Sequence, residues 1–154
     1  MIIATRRGNI LCNCERRIAF PINIEGVMSS DFESLISRRY WPELAKVGKN
    51  ALGTIFSKKV EGIEFFALCC YSLHNGWFDQ EGTITKCFDA IPGDERVAST
   101  AIGTSFFDIH SGANVDLIQA GMQASNKKII LYYTSWSQVW GQASELITCT
   151  RKRD

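Results

Sequence analysis

One stretch of the chain decides the fold, because it is apolar along nearly its whole length: residues 63–71, IEFFALCCY. A strand that is apolar on both faces is typical of the interior of a sheet that is covered by helices on each side. The turn-like residues 58–62, KKVEG, separate it from Thr54-Ile55-Phe56, so the two segments predict a hairpin. His74-Asn75-Gly76 predicts the end of this central strand.

Four further apolar segments predict the remaining strands: residues 2–4, 18–23, 97–102 and 128–133. Arg6-Arg7-Gly8-Asn9 predicts a turn after the first of them. Pro21 disfavours a central placement for that residue of the second, because proline cannot donate a hydrogen bond to a neighbouring strand.

Amphipathic stretches between the strands predict helices that begin near Ser30, Thr83 and Asn114. Ser30 and Glu33 have the S-x-x-E spacing of a capping box, which marks the first helix start. Pro42 predicts that this helix either stops or restarts there, with Leu44 and Val47 as its extension in the second case. Residues 136–146 fit either a last helix or an extended flank. Strands that alternate with helices predict one α/β domain over residues 1–154, with a mixed sheet and a basic tail at residues 151–154.

Composition narrows the class of protein. The chain has 154 residues, of which 45% are hydrophobic and 21% are charged, as in ordinary globular proteins. The formal net charge of +1 offers no electrostatic reason to expect nucleic-acid or membrane binding. No apolar run approaches the roughly 20 residues that span a bilayer. The apolar stretch at the N-terminus is too short for the core of a signal peptide. We therefore expect an intracellular, cytoplasmic protein, or one in the host cytoplasm if the source is a virus.

The cysteines and histidines do not have the spacing of metal ligands. The six cysteines are Cys12, Cys14, Cys69, Cys70, Cys87 and Cys149, and the two histidines are His74 and His110. Zinc sites need repeated pairs of ligands such as C-x2-C, which this chain lacks. We therefore expect reduced, buried cysteines and no metal.

In open α/β sheets, ligands bind beyond the carboxyl ends of the strands. Two segments of this chain are expected there: residues 23–31, called the first loop below, and residues 103–114, called the second loop.

Several segments, in order, resemble the macro domain (macrodomain) family. Residues 7–11, RGNIL, are similar to the family's opening G-D-I-T/L turn. Residues 23–32, NIEGVMSSDF, followed by residues 38–42, RRYWP, are similar to the stretch N-x-x-G-V-M-G-x-G-I-A and F-K-x-x-F/Y-P. Residues 101–104, AIGT, are similar to the later I-G-C/T-G loop. The branch with ADP-ribose-1″-phosphate phosphatases and with hydrolases that remove ADP-ribose from acidic side chains or DNA bases is most similar.

The resemblance implies a three-layer α/β/α fold and a cleft for an ADP-ribose-like nucleotide, with no cofactor or metal. In the family, a loop and a helix N-terminus present backbone N–H groups to the diphosphate, the opening turn contacts adenine, and the second loop surrounds the distal ribose. The ligand-binding residues implied are Asn9, Ile10, Asn23, Gly26, Val27, Met28, Ser29, Ser30, Asp31, Gly103, Thr104, Ser105, Phe106 and Phe107. Asp108 is the candidate for activating a water, and His74 and His110 are candidates for a general acid or base.

The first loop departs from the family pattern. Asn9 is an amide where the family has a carboxylate, so it accepts a hydrogen bond without charge assistance. Ser29 and Asp31 stand where the family has glycines; the serine could donate its hydroxyl to a phosphate. Asp31 and Glu33 lie in the first helical turn, where they complement the helix dipole and would repel a diphosphate.

The second loop departs as well. Phe106 and Phe107 are bulky where the family has small residues, so they are expected either to stack on a base or sugar or to fold into the core. Residues 70–74, CYSLH, contain no lysine, which argues against a lysine-linked covalent intermediate.

Three functions follow from these observations. The first is hydrolysis of ADP-ribose 1″-phosphate or of an ADP-ribosyl adduct. The second is binding without catalysis, in which the protein sequesters an NAD-derived or cyclic nucleotide signal, as in a phage anti-defence protein. The third is a scaffold that contacts a protein partner through Trp136, Val139 and Trp140, which are equally suited to a core.

Overall fold

The strands form one six-stranded sheet in a computed structural model, which describes residues 1–12, 14–47, 51–74, 82–104 and 113–133. The elements in chain order are β1 (Ile2–Arg7), a short 3-10 helix (Ile10–Cys12), β2 (Arg17–Asn23), α1 (Asp31–Arg39), α2 (Leu44–Val47), β3 (Ile55–Val60), β4 (Ile63–Tyr71), α3 (Thr83–Asp89), β5 (Val97–Thr100), α4 (Val115–Ala124) and β6 (Ile129–Tyr133).

The strand order is β1-β6-β5-β2-β4-β3. Each neighbouring pair is parallel except β3 and β4, which form an antiparallel hairpin at one edge. The predicted α/β class with a mixed sheet is therefore confirmed, and residues 63–71 form an interior strand, next to the edge strand β3, that is buried on both faces.

Alternate residues of the inner strands face two separate cores, because successive side chains of a strand point to opposite faces. One core contains Ile18, Phe20, Phe65 and Ala67 of β2 and β4, packed with the 3-10 helix, α1 and α2. The other contains Ala19, Phe66 and Leu68, packed with α3 and α4. The sheet thus lies between two helical layers, in agreement with the expected three-layer arrangement.

Ser30 caps α1 as the sequence predicts. Ser30 has extended backbone, and its side chain accepts a hydrogen bond from the Glu33 N–H at 3.1 Å. Leu35 and Ile36 are buried against the sheet, which fixes the face that the helix turns inward. The chain then leaves the helix before Pro42, and α2 begins separately at Leu44.

Two predicted turns are wrong in extent. Arg6 and Arg7 belong to β1, because they pair with Tyr132 and Tyr133 of β6. In the hairpin, the turn is confined to Glu61 and Gly62, whose φ angles are 52° and 78°. Two residues at positive φ match the twist of the flanking strands, so Lys58-Lys59-Val60 remain in β3.

Pro21 lies in an interior strand, but it is paired on one side only. β2 lies between β5 and β4, and Pro21 is in register with Leu68 of β4. The pairing of β2 with β5 includes only Ile18 and Ala19. Pro21 lies beyond that short pairing, so its missing N–H removes no bond to β5.

The longest helix in the described ranges, α4, has ten residues. None of the helices in those ranges is long and apolar enough to cross a membrane. The predictions for residues 136–146, for the tail at residues 151–154 and for Trp136, Val139 and Trp140 fall outside the described residues.

Gly103 fixes the exit from β5. Its φ is +84°, and a Cβ added there would lie 2.5 Å from Ile118 Cδ1 on α4. Glycine therefore suits the backbone conformation, and an added Cβ would also force the buried Ile118 side chain to shift.

We expect Gly103→Ala to lower the free energy of unfolding by about 2–4 kcal/mol, since left-handed strain and a core collision add. Gly82→Ala is the matched control, because Gly82 has a φ of +72° and nothing lies within 4 Å of an added Cβ. It should lose about 1–2 kcal/mol. Urea denaturation of both variants measures the difference, and equal losses would contradict the collision with Ile118.

Candidate functional site

The carboxyl ends of the parallel strands meet at one edge of the sheet. The first loop leaves β2 there, the second loop leaves β5, and Ser72-Leu73-His74 follows β4. The turn after β1 joins them, because the Gly8 N–H donates to the Tyr133 carbonyl at the end of β6 at 3.1 Å. The structure therefore brings the described parts of the predicted ligand segments to a common edge.

Asn23 closes the start of the first loop. Its side-chain carbonyl accepts from the Val27 N–H at 3.0 Å, and its side-chain amide donates to the Val27 carbonyl at 2.6 Å. Gly26 makes this tight turn possible with a φ of +75°. Asn23 is fully buried, whereas the side chain of Val27 is exposed at the edge. Asn23 thus shapes the loop from beneath, and Val27 is on its accessible side.

A buried polar network lies under the rest of the first loop, and the Tyr71 hydroxyl is its centre. This hydroxyl donates to Glu33 Oε1 at 3.0 Å and accepts from the Asn23 amide at 3.3 Å. It also hydrogen-bonds the Ser29 hydroxyl. Tyr71 and Glu33 are each only 1% exposed. The network joins the ends of β2 and β4 to the first turn of α1.

Ser29 directs both of its donors into this network. Its hydroxyl meets Tyr71, and its N–H donates to Glu33 Oε2 at 3.3 Å. The Glu33 carboxylate therefore reaches the residue before the N-cap Ser30, rather than the N-cap N–H of a standard capping box. The predicted role of Ser29 in ligand binding stays a prediction, but its hydroxyl points away from the accessible side.

Glu25 ties the first loop to the segment after β4. Its carboxylate accepts from the Ser72 hydroxyl at 2.7 Å and from the Leu73 N–H at 2.8 Å. Desolvation raises the pKa of the Glu25 carboxyl, but the hydrogen bonds from Leu73 and Ser72, with the nearby His74, outweigh it and lower the pKa below 4.5. The ionised form of Glu25 therefore holds the two segments together.

The turn after β1 buries its two predicted contact residues. Asn9 is 7% exposed, and its side-chain carbonyl accepts from the Leu11 N–H at 3.0 Å in an Asx turn. Ile10 is 1% exposed and packs in the core under α1. A contact from Ile10 to a ligand would have to come from its backbone. The proposed contact of Asn9 with adenine remains a prediction.

The described start of the second loop is held by its own hydrogen bonds. Thr104 donates its N–H at 3.3 Å and its hydroxyl at 2.5 Å to the Ala101 carbonyl. Ser105, Phe106, Phe107, Asp108 and His110 lie outside the described residues. Of the three catalytic candidates only His74 is described; its side chain is exposed and its N–H donates to the Ser72 hydroxyl at 3.3 Å.

The cysteine prediction is corrected at two positions. Cys12 is disulfide-bonded, so it is not reduced, and Cys14 is exposed because it lies in a turn with a φ of 57°. Burial raises the pKa of the Cys69 thiol to about 11 and that of the Cys87 thiol to about 12, which makes both poor nucleophiles. Within the described ranges, no group of three or more potential ligands could hold a metal ion.

A cavity of about 480 Å³ opens at the opposite edge, where β2 and β4 begin. Arg17 lines it, but this guanidinium is committed to the Glu95 and Pro92 carbonyls and stacks 5.2 Å from the Phe66 ring centre. The Arg17 side chain therefore stabilises the turn before β5. We therefore place the candidate site at the carboxyl ends of the strands.

Sequence reasoning missed several residues of the site: Glu25, Tyr71 and Ser72 were not singled out, and Glu33 was noted for its cap and its charge. One signal existed for Tyr71, because a tyrosine that ends an apolar strand needs a partner for its hydroxyl. No pattern in the chain indicates that this partner is Glu33, which is 38 residues away.

Solved macrodomains share this fold at low sequence identity. The macrodomain of Mycobacterium tuberculosis DarG is 14% identical, with a TM-score of 0.56 over 86% of this chain and 97% of that one. A mutant macrodomain from Oceanobacillus iheyensis with ADPR is 12% identical, with a TM-score of 0.59 over 93% and 90%. The Trypanosoma brucei macrodomain in complex with ADP-ribose is 11% identical, with a TM-score of 0.55 over 95% and 68%.

No protein-family model matches the chain, and no curated protein sequence matches it. The likeness is therefore one of three-dimensional structure, and it shows that this protein has the macrodomain fold. The predicted fold is confirmed at that level.

We expect Glu25→Gln to lower the free energy of unfolding near neutral pH by about 1 kcal/mol, because the amide has a single acceptor oxygen and no charge with which to replace these two hydrogen bonds. The Glu25 pKa is lowered in the folded state, so its contribution is present above the unfolded value of 4.5 and is lost as the pH falls through the folded value. The difference between the variant and the wild type should therefore shrink in acid. Urea denaturation across this pH range measures it.

Glu43→Gln is the control, because the Glu43 side chain is 57% exposed and pairs only at the surface with Lys58. It should change stability little at any pH. A Glu25→Gln deficit that persists unchanged well below the folded pKa would contradict the role of the ionised carboxylate.

Proposed function

We propose that this protein binds an ADP-ribose-like nucleotide in the cleft at the carboxyl ends of β2, β4 and β5. The observation that carries the proposal is the shared fold: two of the solved macrodomains of this fold contain ADP-ribose or ADPR. The first and second loops of this chain leave the sheet at the edge where open α/β sheets bind ligands.

Backbone groups of the first loop support this proposal. The N–H groups of Met28 and Asp31 make no hydrogen bond within the described ranges. They precede or begin α1, whose N-terminus carries a partial positive charge that favours a phosphate. The exposed side chain of Val27 borders the same surface and offers an apolar contact for a ribose or base.

The proposal extends to hydrolysis of ADP-ribose 1″-phosphate or of an ADP-ribosyl adduct. Asp108 would take a proton from a water, and that water would displace phosphate from the 1″ position or the adduct from the distal ribose. The products are ADP-ribose and inorganic phosphate, or ADP-ribose and the unmodified acceptor. His74, exposed beside the ionised Glu25, or His110 would protonate the leaving group.

The second candidate function is sequestration of an NAD-derived or cyclic nucleotide without turnover. The observation that favours it is the internal bonding of the first loop, where Asn23, Ser29 and Glu33 hold the backbone in place before any ligand arrives. Such preorganisation strengthens binding and requires no nucleophile.

We expect ADP-ribose, ADP-ribose 1″-phosphate or a cyclic ADP-ribose to raise the melting temperature by about 5–10 °C when it is present at 100 times its Kd. Differential scanning fluorimetry with each ligand measures the shift. Adenosine is the control, because it lacks the diphosphate and the distal ribose. If none of these nucleotides shifts the melting temperature or releases heat in calorimetry, the scaffold function is favoured and nucleotide binding is contradicted.

Asp108→Ala separates hydrolysis from sequestration. If Asp108 activates water, the variant should lose about 10²–10⁴-fold in kcat and keep its affinity for ADP-ribose. Phosphate release from ADP-ribose 1″-phosphate, followed by chromatography of the ligand after heat denaturation, measures both. Intact ligand recovered from the wild-type protein supports sequestration, and unchanged turnover in the variant rejects the role of Asp108.

A further inference from the structure

We propose that the Glu33 carboxylate is a specificity determinant of the cleft, because it occupies a donor of the first loop that a ligand phosphate would otherwise take. This inference rests on the proposed nucleotide binding and concerns which nucleotides are favoured. It assigns the protein a preference for ligands that place less negative charge at the first loop than a linear diphosphate does.

The geometry of Glu33 resembles that of a bound anion. Its carboxylate accepts the Ser29 N–H at 3.3 Å and the Tyr71 hydroxyl at 3.0 Å, and the side chain is 1% exposed. It lies in the first turn of α1, where a negative charge is favoured by the helix dipole. The place that a phosphate oxygen would fill beside Ser29 therefore already holds a carboxylate oxygen.

Ser29 has no donor left for a ligand at the loop surface. Both its N–H and its hydroxyl are turned to Glu33 and Tyr71, below the loop. A ligand at the loop surface is left with donors such as the N–H groups of Met28 and Asp31. Because Tyr71 belongs to β4, the carboxylate is anchored to the sheet and cannot swing away with the loop alone.

The charge of the Glu33 carboxylate and the loss of the Ser29 N–H as a donor both weaken the binding of a diphosphate. A buried carboxylate is screened less by salt than a surface one, so its repulsion of a nearby diphosphate persists at physiological ionic strength. Asp31, which is exposed in the same turn, adds to the repulsion but is better solvated. Glu33 is therefore the charge whose removal should alter selectivity most.

The test compares the Kd values of ADP-ribose and adenosine for wild type and Glu33→Gln, measured by titration calorimetry. The glutamine keeps the shape and removes the charge; its carbonyl oxygen can still accept from the Ser29 N–H, while its amide group would have to donate to the Tyr71 hydroxyl. We expect ADP-ribose to bind about 10- to 100-fold more tightly to the variant, and adenosine to change by less than about twofold. Unchanged or weaker ADP-ribose binding by a folded Glu33→Gln protein overturns the proposal.

Two variants control for indirect effects. Glu43→Gln removes the same charge from an exposed surface position, so ADP-ribose should bind it about as tightly as wild type. Tyr71→Phe removes the hydroxyl that anchors the carboxylate and releases the Ser29 hydroxyl, but it keeps the charge, so any gain in affinity should be smaller than that of Glu33→Gln. An equal gain in Glu43→Gln would show that net charge alone is responsible and would overturn the proposal.

If the circular dichroism spectrum shows that Glu33→Gln does not fold, a further variant takes its place. Glu33→Met combined with Tyr71→Phe replaces both partners of the Glu33–Tyr71 hydrogen bond by apolar side chains of similar shape and releases the N–H and hydroxyl of Ser29. It should show the same gain for ADP-ribose, and loss of the fold in both charge-removing variants overturns the proposal in favour of a structural role. If neither wild type nor any folded variant binds a nucleotide, the proposed function itself fails; if wild type binds and the variants bind no more tightly, only the role of Glu33 fails.

Discussion

The parallel pairing of β2 with β4 is the constraint on which the rest of the structure depends. Both strands are buried on their two faces, so the sheet needs a helical layer on each side. The 3-10 helix and α1 cover one face, and α3 and α4 cover the other. The same pairing sets Asn23 in register with Tyr71 at the carboxyl ends of the strands.

That register places two polar side chains where the apolar strands stop, and both are almost fully buried. Buried polar groups need hydrogen-bond partners, and here the partners come from the first loop and from α1. Asn23 holds Val27, while Tyr71 holds Glu33 and Ser29. The conformation of the first loop therefore follows from the ends of two strands as much as from the loop's own residues. Glu25 extends the arrangement to the segment after β4.

Most of the secondary structure could be predicted, because it depends on patterns that neighbouring residues carry. The N-cap at Ser30 and the apolar run of β4, which is buried on both faces, are local signals, and both formed as expected. The predictions that failed concern residues whose conformation depends on a partner strand that is distant in the sequence. Arg6 and Arg7 look like turn residues but pair with Tyr132 and Tyr133 of β6.

The sequence by itself determined the α/β class, the helix starts and the two loops in which a ligand is expected, since periodicity and capping act over a few residues. Only the tertiary structure decided which side chains meet at the end of β4. Ser29 and Glu33 are close in the chain, but their meeting with Tyr71 depends on α1 packing on the sheet in one orientation. A contact between residues about 40 positions apart has no local signal, and it is this contact that turns the donors of Ser29 away from the cleft.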